Sequence, residues 1–113
     1  MDFGGKGLVN INMTVPRGTS ITLTLEHIDK SGNPISHENA REEMVFETKD
    51  RRSSINLSDY AVGTDTGVQI FVPYGITEKL ASNSYVWNLL SYMDSETCNR
   101  TAYGNVRIVE TYR

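Results

Sequence analysis

Apolar residues fall at every second position along most of this chain. A period of two fits a half-buried β-strand and does not fit an amphipathic helix. Val9, Ile11, Met13 and Val15 alternate with Asn10, Asn12 and Thr14, and Pro16-Arg17-Gly18 breaks the run. Ile21, Leu23 and Leu25 alternate with Thr22, Thr24 and Glu26, a second strand rich in β-favouring threonine. Asp29 to Pro34 closes it, because Gly32 can take a positive φ and Pro34 cannot pair centrally in a sheet. Met44 and Phe46 mark a strand over Glu42 to Lys49, with a short helix through Glu38 to Glu43 as the alternative. Ile55 and Leu57 mark a short strand, and Asp59 to Gly67 is a loop by composition. Val68, Ile70 and Val72 form the next run, which Pro73 ends. Thr77 to Leu80 reads as one helical turn capped by Thr77. Tyr85, Trp87 and Leu89 alternate again, and Gly104 opens a last strand over 105–112. Several short strands separated by turn signals, with no sustained helical period, predict an all-β sandwich.

The length of 113 residues suits one domain. The expected division is a flexible glycine-rich arm over 1–8 and a sandwich over 9–113. No apolar run is long enough to span a bilayer, and no secretory signal is read at the start. A formal net charge of −3 argues against a general nucleic-acid binder, which needs a basic face. The one basic cluster, Lys49 to Arg52, reads as a solvated loop between strands. Cys98 is the single cysteine, so the fold does not depend on an internal disulfide; it reads as a loop thiol with neither histidine near it in sequence.

Few constellations carry chemistry. Asp65-Thr66-Gly67 matches the triplet that supplies the carboxylate of aspartic proteases, but Val62-Gly63-Thr64 is a poor lead-in strand, and a polar turn is the plainer reading. Asp29 to Asn33 hints at a calcium loop, yet Gly32 comes too early and Ala40 stands where a bidentate Glu is needed. His27 and His37 match no zinc spacing; His27 continues the Ile21, Leu23, Leu25 face and reads as a partly buried strand-end residue. Glu42 and Glu43 are adjacent, so on a strand they point to opposite faces. Three glycosylation sequons, at Asn12, Asn56 and Asn99, are expected to be unused. Trp87 reads as core, with an exposed anchor as the alternative. No catalytic residue, metal ligand or cofactor is assigned.

The order of these signatures is familiar. An alternating strand leads to Pro16-Arg17-Gly18-Thr19, then come the threonine-rich strand and the Asp29 to Pro34 turn. Val68 to Pro73, Thr77 to Leu80, Tyr85-Val86-Trp87-Asn88-Leu89 and Tyr103 to Val109 follow. From about Ile11 to Tyr112 this order resembles the immunoglobulin-like amino-terminal domain of phage baseplate upper proteins and related small phage structural proteins. The resemblance implies one immunoglobulin-like β-sandwich of about seven antiparallel strands. It also implies a non-enzymatic virion structural subunit, a tail or baseplate adaptor or a capsid decoration, joined to other virion proteins. Longer members continue into receptor-binding machinery that is not found after the sandwich in this sequence.

Such a subunit acts by surface complementarity, with free sheet edges able to accept strands and with many copies in a symmetric homo-oligomer. Phe3, Leu8 and Ile11 are the candidate interface residues. Neither nucleic acid nor membrane is expected as a partner. Two other functions compete. One is a carbohydrate- or host-surface-binding sandwich using Tyr60, Tyr74, Tyr92 and Trp87; the other is a protease-like enzyme using Asp65.

Overall fold

The structure, a computed structural model, describes residues 9–110. It is all-β, with two sheets sharing one core. The strands are β1 (Val9–Asn10), β2 (Met13–Pro16), β3 (Ile21–Glu26), β4 (Arg41–Thr48), β5 (Ser54–Asn56), β6 (Ala61–Gly63), β7 (Gly67–Val72), β8 (Ser84–Tyr92) and β9 (Cys98–Val109). One helical turn, α1 (Tyr74–Thr77), and a 3-10 turn at Ser58–Tyr60 complete the described residues. The larger sheet runs β1-β9-β8-β4-β5, with β2 following β1 beside β9; the smaller runs β3-β7-β6.

Several expectations need correction. Among the described residues the strands number nine rather than about seven, and the larger sheet is mixed because β1 and β2 both run parallel to β9. The opening run is interrupted at Ile11 and Asn12 because that kink is bonded from three sides. Ile11 N donates to Tyr103 O at 2.8 Å, Trp87 Nε1 donates to Ile11 O at 2.8 Å, and Asn105 N donates to Asn12 Oδ1 at 2.9 Å. Gly104 makes room for it, since a Cβ there would lie 1.9 Å from Ile11 O.

The last strand begins at Cys98 rather than at Gly104, so Cys98 is an exposed strand residue. A bulge hides its first half from a period-two reading. Leu89 pairs with Ala102 and Leu90 with Arg100, which leaves Thr101 as the extra residue and changes the inward phase there. The stretch 59–67 is less of a loop than its composition suggests, since it includes β6. The helix alternative at 38–43 gives way to β4, and the helical turn is Tyr74–Thr77, so Thr77 ends it and does not cap its start.

In-phase residues build the core. Met44 and Phe46 on β4, Val68, Ile70 and Val72 on β7, and Tyr85, Trp87 and Leu89 on β8 are all buried. Phe46 meets Trp87 edge-on, with ring centroids 6.5 Å apart. Tyr85 Oη donates back to Ala81 O at 3.0 Å and ties the start of β8 to the residues before it.

Candidate functional site: a sealed polar cluster and an open sheet edge

The inward apolar series on three strands each end in a polar residue at the same end of the sandwich. Leu25 on β3 is followed in phase by His27, Met44 on β4 is preceded by Glu42, and Leu89 on β8 is followed by Ser91. The β9 bulge adds Thr101, and the segment between β3 and β4 adds His37. All five are buried, with His37 and Ser91 fully enclosed.

Their hydrogen bonds form one chain. Ser91 Oγ donates to Glu42 Oε1 at 2.5 Å and lies 2.6 Å from Thr101 Oγ1. His37 Nδ1 lies 2.9 Å from Glu42 Oε2, and His27 Nδ1 lies 2.7 Å from His37 Nε2. A carboxylate only accepts, so Ser91, whose hydroxyl donates to Glu42, accepts in turn from Thr101, while the two imidazoles reach the same carboxylate from the other side through His37. A proton on both rings would set two N–H groups against each other at the His27–His37 contact. Burial holds the His27 imidazole below its usual range, the His37 ring adds to this, and Glu42 opposes it. Asn99 Oδ1 is also buried and has no hydrogen-bond partner among the described residues.

The backbone fixes this cluster as firmly as the side chains do. His27 N donates to Thr66 O at 2.9 Å, and His37 N donates to Thr64 O at 2.7 Å. Gly63 lies so close that a Cβ there would be 2.0 Å from His37 O. The cluster thus clasps the β3–β4 segment onto the β6–β7 turn and joins both sheets. Its serine hydroxyl is bonded to the carboxylate and not to an imidazole. That differs from a nucleophile–base pair, in which the base takes the proton of the attacking hydroxyl.

Sequence reading placed His27 on the face of Ile21, Leu23 and Leu25 and set Glu42 and Glu43 on opposite faces, but did not join His27 to Glu42. The detectable signal was a polar residue extending each apolar series. The pairing of His37 with Glu42 depends on how the β3–β4 segment returns, and no periodicity encodes that.

Other candidates lie apart. Asp65 is exposed in the β6–β7 turn, where Thr64 Oγ1 accepts from Thr66 N and Gly67 N. Asp29 Oδ1 accepts from Ser31 N and Asn33 N, which makes the would-be calcium loop a hairpin turn. Among the described residues no group of three or more His, Cys, Asp and Glu is placed to hold a metal ion, and no helix is long and apolar enough to cross a membrane. Lys49 to Arg52 is the exposed β4–β5 turn. Of the glycosylation sequons, Asn99 is buried, whereas Asn12 and Asn56 are exposed. Trp87 is fully buried, which removes it from any exposed binding surface. Tyr60 and Tyr92 are half-buried, and Arg41 covers the Tyr92 ring at 4.0 Å; Tyr74 is 65% exposed.

Phe3 and Leu8 lie outside the described residues. Ile11 is half-buried and packs against the core, with its backbone amide and carbonyl both bonded. Among the described residues β3 forms one rim of the smaller sheet, and on that sheet's outer face Val62 and Phe71 are 59% and 51% exposed. No protein-family model matches the chain, and a search of curated proteins finds no match either.

Proposed function

We propose that this chain is a non-enzymatic structural subunit of a bacteriophage virion, a tail or baseplate adaptor or a capsid decoration, acting through protein–protein assembly. One observation carries the mechanism. The His27, His37, Glu42 and Ser91 side chains are enclosed in the core, while a sheet rim and the apolar side chains of Val62 and Phe71 face outward. A surface of that kind works by complementarity, and many copies in a symmetric particle make modest contacts permanent. The virion assignment rests on the order of strand and turn signatures that resembles phage baseplate upper proteins. The test is to purify the particles, identify their proteins by mass spectrometry and label them with antibody against this chain. The expected result is the chain at a fixed copy number and one repeated position. A chain found only in the unassembled fraction ends the proposal.

The alternative, a carbohydrate-binding sandwich, is favoured by the exposure of Tyr74. Glycan-array binding that Tyr74→Ala abolishes would support it over the assembly reading.

A further inference from the structure

We infer that β3 pairs with the β3 of a second copy, antiparallel, and joins the two small sheets into one. Among the described residues β3 is the end strand of its sheet, paired with β7 alone. The phase of its backbone groups follows from one contact. His27 N donates to Thr66 O, in line with the β3–β7 register, so the odd residues 21 to 27 turn their amides and carbonyls toward β7. Thr22, Thr24 and Glu26 therefore point theirs at the open rim. The described residues that follow β3 fold back the other way: Ile35 N donates to His27 O and His37 N to Thr64 O, so they do not cover it.

The remaining rims are blunted in ways that β3 is not. β1 has two residues, β5 and β6 have three each, and β2 ends in Pro16. β3 has six residues without Pro, Lys or a bulge. Natural sheets usually guard such a strand.

The strand is also complementary to itself. An antiparallel pair must place inward residues against inward ones. With Leu23 on the two-fold axis, Leu23 faces Leu23, Ile21 faces Leu25, Thr22 faces Thr24, and Glu26 faces Ser20 of the second copy. No like charges meet. The outward groups of Thr22 and Thr24 then form about four backbone hydrogen bonds across the axis. Leu23 is the half-buried member of the inward series, beside a groove of about 310 Å³ that Met13, Val15 and Ile21 also line. A strand with apolar residues in the same phase fits that wall, and β3 has this phase itself.

The inference deepens the assembly reading, and the two fail separately. A chain that is monomeric by mass ends the self-pairing, whereas a chain missing from purified particles ends the virion reading.

The test uses the full chain in analytical ultracentrifugation across a concentration series. The expected species has twice the 12.7 kDa mass of one chain. Thr24→Pro removes an amide that points away from β7, a place where an edge strand tolerates proline. It is expected to weaken the dimer by at least about 100-fold, with an unchanged β-type circular dichroism spectrum. A second measurement covers a variant that misfolds. In a Cys98→Ser background, Leu23→Cys is expected to form an intermolecular disulfide on mild oxidation, because facing Cα atoms in a non-hydrogen-bonded pair are about 4.5 Å apart. Thr24→Cys in the same background is not. A monomer at every concentration overturns the inference, as does a dimer that folded Thr24→Pro leaves intact. Cross-linking through Thr24→Cys but not Leu23→Cys overturns the register.

Discussion

The two ends of this core are built on opposite principles. Around Trp87 the sheets meet mainly through apolar side chains, and the indole N–H donates to Ile11 O. At the other end the sheets meet through five polar side chains, His27, His37, Glu42, Ser91 and Thr101, ordered around one carboxylate. Apolar packing is non-directional and loses stability in proportion to the volume removed. A buried polar network is directional: complete, it holds a specific arrangement, but with one member missing it leaves groups that cannot recover their hydration. The apolar end should therefore respond to size and the polar end to completeness.

The largest expected effect is at the apolar end. Trp87→Ala should cost about 3–5 kcal/mol, the range for emptying a buried aromatic site, read from chemical denaturation. A loss below about 1 kcal/mol would mean that Trp87 does not organise the core. At the polar end, Glu42→Leu alone should cost about 2–3 kcal/mol, because it leaves His37 and Ser91 buried without their acceptor. Combining it with His37→Phe and Ser91→Ala should return at least half of that loss, since an apolar replacement of the whole set removes the unsatisfied groups. Strictly additive losses would show that the three residues do not act as one network.

The smallest effect is graded by pH. Folded His27 resists protonation, whereas in the unfolded chain it titrates near 6.5. Below that value the unfolded state binds more protons, so stability is fully present above pH 6.5. It falls as pH drops through 6.5 toward the lowered folded value, with a slope of at most about 1.4 kcal/mol per pH unit for one proton. His27→Phe should flatten that slope in denaturation curves recorded between pH 7.5 and 5.5. An unchanged slope in this variant would move the titration to another group.

How much was legible in the sequence can be argued strand by strand. β3, β7 and β8 were readable because their alternation is unbroken, and Pro73 and Asp29 to Pro34 punctuate it. The first half of β9 was not, because the bulge at Thr101 reverses the inward phase, so apolar residues no longer recur at even spacing. The split between β1 and β2 was likewise hidden, since Ile11 and Asn12 continue the alternation on paper. Their kink is set by Trp87, Tyr103 and Asn105, far along the chain. Of the polar cluster, His27 and Glu42 carried a signal as polar residues in an apolar phase; His37 carried none.

By itself the sequence determined the two-faced strands and hence the all-β class, because side-chain alternation is a local property of extended backbone. Tertiary structure alone decided which strands became neighbours, that the first two run parallel to the last, and that β3 ends its sheet among the described residues. It also decided that His27, His37 and Glu42 share one hydrogen-bonded chain. Strand pairing and buried networks join residues distant in sequence, and local periodicity carries no record of which partner each surface meets.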